Sequence, residues 1–146
     1  MRATDTLDHE GRQLYRPRRH DRGVIIGTLV YGLQGSEFDF DDRVLAHLQV
    51  VFTAKMRRRE SFMFVWRDDP SVGDGRSAAW IDSAIPLYFR YSGGKQPVLN
   101  MEWLEEMSIA AGSTQGLVLG EEPGHEGEGV VRAHDNSMKR RDHPAN

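Results

Sequence analysis

No cysteine occurs anywhere in the 146 residues. Disulfides, thiolate zinc sites and cysteine nucleophiles are therefore excluded. Long apolar runs are also lacking, and no stretch approaches the ~20 residues that cross a bilayer. Residues 1–22 have no apolar centre of the kind a secretory signal needs. The cytoplasm is the expected compartment, and no membrane partner is expected. Lysine is scarce, with only Lys55, Lys95 and Lys139. The chain is polar but foldable: 38% of its residues are hydrophobic and 28% charged.

The net charge of −3 is unevenly spread. Residues 1–22 carry six arginines against four acids, a balance of +2, and residues 124–146 carry four bases against four acids. Residues 23–123 carry nine bases against fourteen acids, a balance of −5. An acidic body is poorly suited to a phosphate backbone, whose neutralisation needs clustered Lys and Arg.

The pattern divides the chain into a disordered basic arm (1–22), a single domain (23–120) and a disordered tail (121–146). Arg16-Pro17-Arg18-Arg19-His20 has no usable periodicity, and beyond Gly120 little is apolar except Val130, Val131 and Met138. Neither segment offers enough apolar surface to offset the entropy of ordering it. The roughly 100 residues between them suffice for one modest core.

Within the domain, Val24 to Tyr31 is an apolar, β-branched run, and turn residues 32–35 lead into a short return strand at 37–40. Asp41 stands where a helix N-cap belongs, and Asp42 suits the positive end of the helix dipole. Val44, Leu45, Leu48, Val51, Phe52 and Met56 then form one stripe, which predicts a helix over 42–57. Phe62, Phe64 and Trp66 alternate with Ser61, Met63 and Val65, the period of a strand over 60–66. Further strands are predicted at 78–82 and 86–91, the latter with Leu87, Phe89 and Tyr91 on one face. Asn100 caps a second helix over 101–111, Gly112 stops it, and Leu117 to Leu119 adds a last short strand. The order ββ-α-βββ-α-β points to an α+β fold, a small mostly antiparallel sheet with two helices on one face.

These segments carry a resemblance. Gly27-Thr28-Leu29-Val30-Tyr31-Gly32, Phe38-Asp39-Phe40-Asp41-Asp42-Arg43, Leu45-Ala46-His47-Leu48 and Arg58-Arg59-Glu60-Ser61-Phe62 stand in order. Gly75-Arg76-Ser77, Ile85-Pro86-Leu87 and Leu99-Asn100 follow. Together, over roughly Gly27 to Pro123, they resemble a family of small uncharacterised actinobacterial domains of about a hundred residues. Its members often carry the label ATP-dependent DNA ligase. Such ligases attack ATP through the lysine of a Lys-x-Asp-Gly pattern. The three lysines here begin Lys-Met-Arg-Arg, Lys-Gln-Pro-Val and Lys-Arg-Arg-Asp, so the residues do not support that activity, and no adenylation by ATP is expected.

Other chemistries find equally little. No phosphate-cradling G-x-G-x-x-G or Gly-Lys-Ser/Thr loop is present, and Gly73-Asp74-Gly75 reads as a turn. Asp39, Asp41 and Asp42 lack the glycine and distal glutamate of a calcium loop. No serine sits in a G-x-S-x-G elbow. His47 has no orienting acid in its pattern and reads as a residue beside the apolar stripe. No catalytic, metal or cofactor residue is therefore assigned.

Two binding surfaces remain. Lys55, Arg57, Arg58 and Arg59 cluster at a helix end. With Arg76, Trp80, Tyr88 and Arg90 they would make a basic-aromatic surface able to stack single-stranded bases. Against this, cations belong at helix C-termini and alternating aromatics belong in cores. The favoured reading is a non-catalytic protein-interaction module that binds an unknown protein partner or self-associates, with a nucleic-acid-binding accessory domain as the alternative.

The family's segments begin near Gly27, and Val24 can be encoded by a triplet that bacteria also use for initiation. Residues 1–23 are thus expected to be dispensable to folding, or untranslated sequence read in frame. Deleting them is expected to shift the melting temperature little, whereas deletion through Tyr31 removes a strand and unfolds the domain. Thermal melts of both truncations and the intact mass of the native protein check this.

Overall fold

A computed structural model describes residues 25–68, 73 and 75–124. Its elements follow the predicted order. Strands β1 (Ile26–Tyr31) and β2 (Ser36–Asp41) form a hairpin, and helix α1 (Asp42–Arg57) follows. Strands β3 (Phe62–Arg67), β4 (Arg76–Ile81) and β5 (Leu87–Arg90) lead to α2 (Met101–Ala111) and the short β6 (Leu117–Val118). The class is α+β. The expected basic arm and most of the expected tail lie outside the described residues.

The strands form two three-stranded sheets rather than one, ordered β2-β1-β5 and β4-β3-β6. All pairings are antiparallel except that of β3 with β6, which is parallel. Period-2 alternation marks which residues share a face but says nothing of which strands pair. The residues after β4 carry the chain out of the second sheet and into the first.

Each sheet turns aromatic side chains inward, and the two inner faces meet. Phe38 packs edge-on to Trp66 at 4.9 Å between ring centres, and Phe40 touches both Phe64 and Trp66. Helix α1 closes this seam with Val44, Leu45, Leu48, Val51 and Phe52, all buried. Phe52 lies 5.3 Å from Phe62 and 5.2 Å from Phe64 on one sheet, and 6.1 Å from Phe89 on the other. Beside α1, with Trp103 4.8 Å from the His47 ring, Trp103, Leu104, Met107 and Ala111 of α2 join the same core. Two glycines permit close approaches. A Cβ at Gly27 would lie 2.7 Å from the Arg90 carbonyl oxygen. Gly116, with φ of +84°, leaves no room for a Cβ beside the Met63 carbonyl.

A polar knot fastens the helix starts to the end of the domain. The Arg43 guanidinium donates to both carboxylate oxygens of Glu122 at 2.8 Å and to the Val98 carbonyl at 2.8 Å. Asn100 caps α2 as expected, its Oδ1 accepting from the Glu102 and Trp103 amides at 3.0 and 3.2 Å. Its Nδ2 donates to Glu122 and to the Pro123 carbonyl. His47 is fully buried rather than at the boundary of the stripe. Its Nδ1 lies 2.8 Å from the Arg43 carbonyl and its Nε2 accepts the Asn100 amide at 2.8 Å. The partners fix the neutral tautomer protonated on Nδ1.

Two further expectations are corrected here. The fold does not stop at Gly120, because Glu122 is buried and tied to Arg43 and Asn100. Composition alone hid this, since a lone glutamate among glycines and proline reads as solvated. Asp41 occupies the N-cap position of α1, but its side chain makes no capping hydrogen bond. The neighbouring Asp42 instead accepts the amides of Ser92 and Gly93.

Replacing His47 with Phe keeps a ring against Trp103 but removes both hydrogen bonds. A loss of about 1–3 kcal/mol is expected, read from the urea midpoint; an unchanged midpoint would show that the two bonds contribute nothing.

Candidate interaction surface

The eight candidate residues do not form one surface. The split into two sheets separates them into three groups.

The first group lies at the end of α1. Lys55 is buried, and its ammonium is 3.1 Å from Glu60, so it is not a surface cation. Arg58 pairs with the same carboxylate at 3.3 Å. Hydrogen bonds from Arg58, then from Lys55, hold the Glu60 carboxyl below its ordinary range. Arg57 and Arg59 are exposed. The Glu60 amide donates to the Lys55 carbonyl and the Arg59 amide to that of Met56, a Schellman ending. Arg59 holds the left-handed position with φ of 57°, which glycine ordinarily takes.

The second group is on the outer face of β2-β1-β5. Tyr88 is 58% exposed, and the Arg90 guanidinium sits 5.7 Å above its ring. Arg90 also reaches Glu37 at 3.7 Å, and Thr28 donates to Asp39 beside them. This face is mostly polar, with the half-buried Ile26 and Val30 its apolar members.

The third group, Arg76 and Trp80, is on the outer face of β4-β3-β6, and this face differs in kind. Trp80 stands opposite Met63, and Ala78 opposite Val65, which in turn stands beside Val118. Trp80 is 48% and Met63 38% exposed, and Ala78 is exposed. At one end Arg67 and Arg76 stand directly across from each other. The Arg67 Nε is buried without a hydrogen-bond partner. Met63, Val65, Arg67, Ala78 and Val118 were not among the candidates. The signal for them was in β3, where Phe-Met-Phe-Val-Trp is apolar at every position. A strand apolar on both faces is one that is covered on both faces.

A cleft of about 270 Å³ opens between α1 and the loop after β5, lined by residues including Asp42, Gln49, Tyr91 and Lys95. Its polar groups hold the loop. Asp42 accepts two loop amides, and the Tyr91 hydroxyl lies 2.6 Å from Gln49 Oε1 and 3.2 Å from the Leu45 carbonyl. Burial, with a smaller push from the Asp42 charge, raises Tyr91 to about 12.

The hydroxyls and imidazole that nucleophilic chemistry would use also serve local structure. Ser61 donates to Asp82, Ser77 to Asp68 and Ser92 to the Ile26 carbonyl. Among the described residues no group of three or more His, Asp or Glu is placed to hold a metal ion. No helix among them is long and apolar enough to cross a membrane.

The family model described as Domain of unknown function (DUF7882) matches residues 26–122. The chain belongs to this family. No curated protein and no solved structure matches it. The DUF7882 span opens on the first residue of β1 and closes on Glu122, so both outer sheet faces and Arg43, His47, Asn100 and Glu122 of the polar knot lie within it.

The cleft yields a pH dependence. A tyrosine raised from 10.0 to about 12 in the folded state stabilises the fold in its protonated form. That contribution is complete below pH 10 and is lost as pH climbs towards 12. Urea midpoints measured across this window are expected to fall for the parent chain and to fall less for Tyr91→Phe.

Proposed function

We propose that this domain is a non-catalytic protein-interaction module that docks a protein on the outer face of its β4-β3-β6 sheet. One observation supports this reading: Met63, Val65, Ala78, Trp80 and Val118 all point outward from one sheet. The other sheet supplies the comparison within the same molecule, with Thr28, Glu37, Asp39, Tyr88 and Arg90 around Ile26 and Val30 at the corresponding outward positions. A contiguous apolar face rimmed by charge is a common mark of an interaction site. Trp and Arg are the residues that most often dominate binding energy in such faces. Stacking of single-stranded bases would ask for several aromatics along a cationic track. This face has one aromatic, Trp80, among aliphatic neighbours, which favours a protein occupant. The cytoplasm is the compartment we assign, on composition.

The test is a photo-crosslinking amino acid placed at Trp80 or, as control, at Tyr88, in the intact chain in its native host. A discrete protein adduct from position 80 and none from position 88 is the expected result. Adducts sensitive to nuclease would turn the reading to nucleic acid, and equal labelling at both positions would overturn the assignment of this face.

A further inference from the structure

We infer that the occupant of this sheet face is a second copy of the chain, which docks through the outer side of its α2. The inference rests on the reading of the β4-β3-β6 face as a docking surface and names what it binds.

The argument begins with charge. Arg67 and Arg76 are cross-strand neighbours, and like charges directly opposite are unfavourable. Among the described residues neither makes an ion pair. The face therefore calls for carboxylates at one end and apolar side chains along the rest.

The exposed side of α2 supplies both. Met101 is 71% and Ile109 68% exposed, and Glu102, Glu105 and Glu106 stand exposed between them. None of these three glutamates makes an ion pair among the described residues, and the last turn of the helix carries no basic residue. Glu102, Glu105, Glu106 and Ile109 share one strip of the helix, the carboxylates towards its start and Ile109 near its end. The lengths agree as well. Glu102 to Ile109 rises about 10.5 Å, and Met63 to Arg67 spans about 13 Å of strand.

The two surfaces of one molecule do not meet each other. Trp103, Leu104, Met107 and Ala111 bind α2 to the core on the inner side of β3 and β6, so its outer strip points away from the sheet's outer face. Contact is therefore between copies and joins unlike patches. Such a heterologous contact builds open chains, or rings where the rotation closes.

Sedimentation velocity with the full chain tests this through two charge-reversed variants. One carries Arg67→Glu with Arg76→Glu, and the other carries Glu105→Lys with Glu106→Lys. The unaltered chain is expected to grow beyond a monomer as concentration rises to about 1 mM, less so at high salt. Each variant alone is expected to weaken association at least tenfold. Mixed, they should pair one to one and grow no further, because each retains one working surface. Where a charge-reversed chain loses its native circular dichroism, Trp80→Ser and Ile109→Gln replace the two variants in the same mixing design. An unaltered chain that stays monomeric throughout overturns self-docking, as does a variant that associates undiminished or a mixture that does not pair. Crosslinking from position 80 to a different protein would leave the docking face standing in that case, so the two failures are distinguishable.

Discussion

Phe52 occupies the place where three elements have to agree. Its ring meets Phe62 and Phe64 of one sheet and Phe89 of the other, while its own helix carries the rest of the apolar stripe. Each sheet has an apolar side whose removal from water is the main favourable contribution to folding. Here each sheet covers the other, and α1 fills the wedge between them. That constraint sets the remaining geometry. With the aromatic faces turned inward, the alternate residues of β3 and β4 face out, and α2 is left to cover the open end of the core with Trp103 and Met107.

The polar knot performs a second task. Closing α1, α2 and the segment after β6 around one point buries an imidazole and a carboxylate, and each needs a partner there. His47 takes a carbonyl on one nitrogen and an amide on the other, and Glu122 receives a bidentate guanidinium and an amide nitrogen. Asn100 links them by capping α2 with its oxygen while its nitrogen holds the Pro123 carbonyl. The helix starts are thereby positioned by directional bonds, and the aromatic seam supplies the bulk of the burial.

Much of this was legible in the sequence. Periodicity located both helices to the residue and every strand to within two, because apolar stripes and alternation are local signals. Asn100 was readable as a cap because its side chain acts on the amides two and three residues on. Pairing was not readable. Nothing local separates one six-stranded sheet from two of three, and that division decides whether Trp80 and Tyr88 share a surface. Lys55 was misplaced for a related reason. A lysine at a helix end ordinarily extends into water, and its burial here depends on Glu60 and on the approach of α2 at Gly112. The outer face of the second sheet is written in an unbroken apolar strand, but its inner residues alone account for a core, so Met63 and Val65 carry no separate local signal.

The parallel strand β6 has a consequence for the order in which the molecule comes together. It pairs with β3 across more than fifty residues of chain, with α2 in between, so it forms a far more distant contact than either hairpin. Long-range pairings close late, after the entropy of the intervening loop has been overcome. Val118 therefore takes its place beside Val65 late, as does β5 beside β1, whose paired residues stand still farther apart in the chain. A half-made chain displays Met63 and Trp80 on a two-stranded ribbon, without its third strand or its parallel edge. The outer face of β4-β3-β6 is thereby complete only in the finished fold.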